Sequence, residues 1–380
     1  MHRNRLIYLD NAATSLPKPP EVSHAIAEGI QSFGGAGRGS HPAAIGADEA
    51  LFNCRSEIAD FFSLYDPKRV VLTQNATHAL NLAISSLAGN GSHAVISSLE
   101  HNAVLRPVHA LTDTHSIVPV SPQTPSVAVD GFWSRLRGAD FAVCTVASNV
   151  FGTILPIEEI DAVCADAGVP LIIDASQTAG ILPLDVSRLR GTAFVAFPGH
   201  KGLLGPQGTG ALLVLSDKFS PLIRGGTGSN SADPLQPDFL PDALESGTQN
   251  SAGAYGLTEG IRFLRRMGRD AIFRHEIRLT ELAENELSKI TAVHCIPSAD
   301  RVGIISFTVD GMDCQQVANR LADDAIAVRA GLHCAPLAHR SAGTFPNGTV
   351  RVSFGPFNRE SDVFALSHTV KHIVTHRDFS

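Results

Sequence analysis

Nowhere does this 380-residue chain carry an apolar run of the roughly 20 residues that a membrane span needs. It opens MHRNRLIYLDNAATS, without the apolar stretch of a signal peptide, so a cytoplasmic protein is expected. Lys and Arg form no block. The formal net charge is −7 with both signs interspersed, which argues against nucleic acid and anionic membranes as partners. The six cysteines, Cys54, Cys144, Cys164, Cys295, Cys314 and Cys334, include no C-x-x-C pair, so neither a disulfide framework nor a metal site is expected from them. Sixteen histidines yield no H-E-x-x-H. There is no G-x-x-x-x-G-K-[ST], and no G-x-G-x-x-G opens a helix after the first strand, so metallopeptidase, P-loop and dinucleotide chemistry lack their usual signatures. Internal repeats and low-complexity tracts are missing too.

What is there is a core-forming composition. Hydrophobic residues make up 44%, too many for a disordered chain, and the length implies two domains or one large α/β domain with a smaller partner. Seven short apolar runs, at 69–73, 93–98, 116–120, 140–148, 170–176, 193–198 and 209–216, alternate with amphipathic stretches such as 77–89, 102–111 and 157–168. Strands alternating with helices of this length imply βαβ units and a mainly parallel sheet. The pattern turns helical from about 249 to 290, then mixes shorter strands and helices in the manner of an α+β domain. Residues 225–251, rich in Gly, Ser, Pro and Asp, form a long loop of the kind that is often functional. Cys144 lies inside an apolar run and Cys164 on the core side of a helix, so both read as packed thiols.

Polar residues collect where those runs end. Gln74-Asn75-Ala76-Thr77 follows the first run and opens a helix, a place suited to phosphate. Glu100-His101, Asn149, Asp174 with Gln177, and His200-Lys201 follow four others. In open parallel sheets, ligands bind beyond the carboxyl ends of the strands. Taken singly, each residue has a plainer reading: a helix cap for Asp174 or Thr77, a turn for Asn149, a structural imidazole for His101, a solvated amine for Lys201. Together, a phosphate cradle, an acid, an aromatic plane and a lysine match the needs of pyridoxal 5′-phosphate. A lysine buried at a strand end loses basicity and becomes a nucleophilic amine able to hold a carbonyl cofactor.

The stretches YLDNAAT, EHNAVLRP, SNVFGTILPI, IIDASQTAG, GHKGLLGPQGTG, ESGTQN, RAGLHCAPLAH and RVSFGPFN, spread over residues 7 to 358, resemble the class V aminotransferase-like pyridoxal-phosphate enzymes, in particular their cysteine desulfurase and selenocysteine lyase branch. The resemblance implies a fold-type I α/β architecture. A large domain at 16–265 would carry a mainly parallel seven-stranded sheet. Residues 1–15 and 266–380 would form a small α+β domain. It implies Lys201 as the cofactor lysine, Asp174 against the pyridine nitrogen, His101 stacked on the ring, Gln177 and Asn149 near the cofactor hydroxyl and the substrate, and Asn75, Ala76, Thr77 and His200 on the phosphate. Thr248 would reach the phosphate of a neighbouring subunit in a homodimer. Arg351 would clamp the carboxylate of an amino-acid substrate, with Arg329 nearby, and Cys334 would be the catalytic cysteine on a short loop, ionised with help from His333 or the cofactor region. Arg38 and His41 fall near the active-site entrance.

The implied activity is removal of sulfur from L-cysteine, giving L-alanine and a persulfide on Cys334 that an acceptor protein could collect. The alternative is a selenocysteine lyase or a β-eliminating C–S lyase. Three positions depart from the family pattern: Pro198 in place of Ser or Thr before GHK, Asn75-Ala76 in place of Gly-Thr, and Leu332 in place of the first histidine of the HHC triplet. Pro198 and Ala76 remove hydroxyl or N–H donors from the phosphate end.

Overall fold

The computed structural model describes residues 5–37 and 39–376. In chain order the strands are β1 (Ile7–Tyr8), β2 (Val70–Thr73), β3 (His93–Ser97), β4 (Thr114–Val118), β5 (Phe141–Thr145), β6 (Leu171–Asp174), β7 (Thr192–Pro198), β8 (Gly210–Val214), β9 (Val293–Cys295), β10 (Ile304–Val309), β11 (Ile326–Ala327), β12 (Arg329–Gly331) and β13 (Thr349–Ser353).

Strands β2 to β8 form a seven-stranded sheet in the order β2-β8-β7-β6-β5-β3-β4. Its pairings are parallel except those of β8, which runs antiparallel to both β7 and β2. The cause is local: β7 and β8 are joined by a connection too short for a helical crossover, so β8 must return as a hairpin partner. Side chains along each strand alternate between two apolar clusters. On β7, Val195 and Phe197 enter one while Phe194 and Ala196 enter the other. A strand buried on both faces reads as an unbroken apolar run, which is why β3, β5, β6, β7 and β8 stand out in the sequence. The third run sits two residues earlier than its apolar pattern indicates. Pro119 has no N–H to continue the ladder, so β4 stops at Val118.

The helices Ala76–Leu87, Asn102–Leu111 and Ile157–Ala167 follow β2, β3 and β5. The last ends at Gly168, whose φ of +68° permits the left-handed cap. The helix Ser251–Met267 packs against Pro20–Ser32 and Pro42–Phe61.

A second, antiparallel sheet has the order β12-β13-β10-β9. The helices Arg269–Ser288, Cys314–Asp323 and Glu360–Thr375 contribute Leu279, Val317 and Leu366 to its own apolar cluster, which also contains Ile305, Val352 and, from the far end of the chain, Leu9. Leu9 arrives there because β1 pairs in parallel with β11. Residues 217–250 hold neither helix nor strand, in keeping with the loop read from composition. Among the described residues no helix is long and apolar enough to cross a membrane.

Candidate active site

A cavity of about 240 Å³ opens at the carboxyl ends of β5, β6 and β7 and at the start of the helix Ala76–Leu87. Lys201 enters it from the β7–β8 connection. The glycines around that lysine answer to close packing. A Cβ on Gly202 would stand 2.4 Å from the Ala179 carbonyl, and one on Gly180 (φ +92°) would stand 2.4 Å from the Gly202 carbonyl. The IIDASQTAG loop and the GHKG turn therefore pass backbone against backbone, which only residues without side chains allow. On the other side, the His200 carbonyl accepts from Ser15 N (3.1 Å), Thr14 Oγ1 (3.0 Å) and Lys18 Nζ (2.7 Å), and the Lys201 carbonyl accepts from Ser15 Oγ (2.9 Å).

The Lys201 backbone is fixed, but among the described residues no hydrogen bond holds its Nζ. Burial pushes the amine down to about 8; Asp174 opposes that fall, and Arg351 and Arg329 add to it. Asp174 ends β6, is buried, and accepts from Ser176 N through Oδ1 (2.9 Å). His101 caps the helix Asn102–Leu111: its Nδ1 accepts from Ala103 N (3.0 Å), which leaves the proton of the neutral ring on Nε2. Burial, then Lys201, hold this imidazole down at about 4, with Asp174 opposing. Gln177 is buried and gives Nε2 to the Ala12 carbonyl (3.2 Å).

At the other end of the cavity, Asn75 caps its helix by accepting from His78 N through Oδ1 (2.9 Å). The N–H groups of Ala76 and Thr77 precede the first intrahelical bond and are free to meet an anion. Gly210 faces them: a Cβ there would come within 3.0 Å of the Asn75 backbone. Four buried polar atoms of cavity-lining residues, His200 Nδ1, Asn149 Oδ1, His333 Nδ1 and Arg351 Nε, have no partner among the described residues.

Cys334 is exposed at the cavity mouth. His333 and Cys334 have φ of +48° and +56°, a left-handed conformation that costs energy in non-glycine residues. The turn is held from the large sheet's side: Asn149 Nδ2 donates to the His333 carbonyl (2.7 Å) and Asn102 N to the Cys334 carbonyl (2.7 Å). Asn149 thus spends its amide on the cysteine loop. His333 does not serve the thiol as expected. Its ring is turned inward, with Nε2 against the Thr349 carbonyl (3.1 Å), and burial followed by the Arg351 charge holds it down at about 2, so it supplies no imidazolium.

Arg351, on β13, is buried; its Nη1 donates to the Asn149 carbonyl (2.8 Å) and its Nη2 to Asp10 Oδ1 (2.7 Å). Asp10 also lies 3.8 Å from Arg329 Nη1. Asp10, in YLDNAAT, is a site residue that sequence reasoning misses, because a lone acid beside a two-residue strand is its only signal. In the sequence Glu100 stands out only as the neighbour of His101. It is fully buried, accepts from Ser97 Oγ (2.6 Å) and Thr145 N (2.8 Å), and burial pushes it up to about 8.

Lys201, Asp174, His101, Asn149, Gln177, Asn75, Ala76, Thr77, His200, Arg329, Arg351 and Cys334 all line the one cavity. Thr248 does not. It is exposed and lines a separate hollow with Gln74 and His78. His41 caps the helix Pro42–Phe61, accepting from Ala44 N (3.3 Å). Arg38 lies outside the described residues.

The family model for class-V aminotransferases matches residues 7–366. The chain belongs to this family. A class-V relative named probable cysteine desulfurase, from Methanothermobacter thermautotrophicus, is 32% identical over 97% of this chain and 94% of its own length. The apo structure of a cysteine desulfurase from Thermococcus onnurineus superposes with a TM-score of 0.90 at 30% identity, covering 98% of this chain and 95% of the other. The cysteine desulfurase CsdA of Escherichia coli, solved in its S-sulfonic acid form, gives 0.86 at 28% identity over 97% and 95%. The architecture of this class-V chain is fold-type I of the pyridoxal-phosphate-dependent enzymes, with a mostly parallel central sheet as the sequence implies.

Proposed function

We propose that this chain is a pyridoxal 5′-phosphate-dependent cysteine desulfurase that converts L-cysteine to L-alanine and carries the sulfur as a persulfide on Cys334. The observation that carries the reading is a lysine of lowered basicity in one cavity with a buried carboxylate and a tethered, exposed cysteine. The residues present fit the cofactor: the N–H groups of Ala76 and Thr77 and the unmet Nδ1 of His200 suit its phosphate, and Asp174 suits a protonated ring nitrogen. When bound, the cofactor supplies an aldehyde for Lys201 and a ring that accepts the electron pair left when the substrate Cα loses its proton. Lys201 Nζ, partly unprotonated near neutrality, is the base for that proton. His101, neutral, offers a flat face and an Nε2–H. Arg351 orients the substrate carboxylate, with Arg329 beside it. The thiolate of Cys334 attacks the substrate sulfur; an S–S bond forms as the C–S bond breaks, and the electron pair stays with the three-carbon fragment, which leaves as alanine once protonated.

We further propose a cytoplasmic homodimer in which Thr248 serves the partner's phosphate site, a sulfur-acceptor protein, and domain boundaries at 16–265 against 1–15 with 266–380. Six free cysteines suit a reducing compartment, and the exposure of Thr248 away from its own cavity suits a role toward a second subunit.

The test is to incubate purified protein with pyridoxal phosphate and L-cysteine while following visible absorbance, alanine, persulfide and sulfide. Cys334→Ala should keep the cofactor band and lose persulfide; alanine and sulfide at the parent rate in that variant would remove Cys334 from the reaction. Pyruvate with ammonia would point to β-elimination, and turnover of selenocysteine alone to a lyase.

A further inference from the structure

Among the described residues, the ion pairs of Arg351 and Arg329 both go to Asp10. The pairing with Arg351 is incomplete. A guanidinium grips a carboxylate best through two parallel N–H groups. Asp10 takes Nη2 only, Nη1 is committed to the Asn149 carbonyl, and Nε is buried without a partner. An idle buried donor marks a bond that a better acceptor can replace. Charge counting agrees: Asp174 stands against the Lys201 amine, so the two guanidiniums face Asp10 as their one carboxylate, which leaves room for one more.

We propose that Asp10 is a resident stand-in for the substrate carboxylate. It occupies Arg351 between turnovers and passes to Arg329, already 3.8 Å away, when the carboxylate of an amino acid arrives. Each guanidinium then holds one carboxylate. The inference rests on reading Arg351 as the carboxylate-binding group. Asp10 acts through Arg351, as a positioning residue that sets affinity: a ligand with a carboxylate must displace it, and a ligand without one need not.

The experiment compares the holoenzyme with its Asp10→Asn variant, using two probes in calorimetric titrations. 3-Mercaptopropionate has the carboxylate and no amine; cysteamine has the amine and no carboxylate. Asp10→Asn should bind 3-mercaptopropionate about tenfold more tightly, the scale of one charge-assisted hydrogen bond, and cysteamine no more tightly. The KM for L-cysteine should fall by a larger factor than kcat changes. Unchanged or weaker binding of 3-mercaptopropionate overturns the proposal, including the case in which both probes weaken because Asp10 only braces the fold.

Should the variant not fold, crystals of the unmodified holoenzyme with 3-mercaptopropionate decide. An Asp10–Arg351 separation beyond about 3.5 Å supports the hand-over; a retained bond with the ligand seated on Arg351 rejects it. Alanine production in the absence of the two-probe pattern sinks this inference and leaves the desulfurase. The pattern without alanine production does the reverse.

Discussion

Lys201 and His101 share a cavity, and burial takes charge from both: the amine is held near 8 and the imidazole near 4. The neutral amine is the nucleophile toward an aldehyde. Uptake of pyridoxal phosphate by the cofactor-free protein should therefore quicken as pH rises and level off above about 8. Stopped-flow absorbance across pH checks this; a rate still climbing toward the ordinary lysine range would mean that Nζ is not desolvated. His333 shows where adjacency in sequence misleads. It precedes Cys334 and looks like an activator, yet left-handed backbone at both positions redirects successive side chains, and the imidazole goes to Thr349 while the thiol faces out. Backbone handedness at non-glycine residues leaves no mark in residue types, so this part of the site was not legible.

The β7–β8 connection and the loop after β6 behave as one unit because Gly180 and Gly202 interlock. Gly202→Ala places a methyl 2.4 Å from the Ala179 carbonyl, and neither backbone can yield without moving Lys201 or Gln177. The substitution should cost on the order of 1–3 kcal/mol and loosen cofactor retention, read by thermal melting and by absorbance after gel filtration. A variant matching the parent in both would show that the turn has slack. At this scale the sequence was informative where burial is two-sided: β3, β5, β6, β7 and β8 appear as apolar runs, whereas the run for β4, a half-exposed edge strand, is offset by two residues. Strands β9, β11 and β12, of two or three residues each, fall below any periodicity, and the helices Pro20–Ser32 and Pro42–Phe61 were not read from pattern. The second is rich in alanine and buries Ala44, Ala47 and Ala50, small residues that draw a weak amphipathic contrast.

For the molecule as a whole, the helix Arg269–Ser288 carries a buried acid. Glu276 is 3% exposed, its Oε2 has no partner, and burial pushes it up to about 8 from an ordinary 4.5. The folded chain keeps this proton at pH values where the unfolded chain has lost it. Stability from this group is therefore full below about 4.5 and is lost as pH rises toward about 8. Glu276→Gln should flatten that decline, gaining on the order of 2 kcal/mol over the parent at the alkaline end. Urea unfolding at several pH values measures it, and parallel pH profiles for parent and variant would show that Glu276 is not held neutral. The sequence pattern separates a strand–helix alternation from a mixed region after about 249, but it does not show that Glu276 faces inward; one acid on an amphipathic helix reads as solvent-facing.

Leu9 lies in the apolar cluster of the second sheet, Asp10 on Arg351, and Thr14, Ser15 and Lys18 on the turn bearing Lys201. A ribosome releases those early residues long before β11 and β13 exist to receive them. Loop closure across some three hundred residues costs entropy that nearby contacts do not, so the reactive pocket is among the last parts of a newly made chain to become complete.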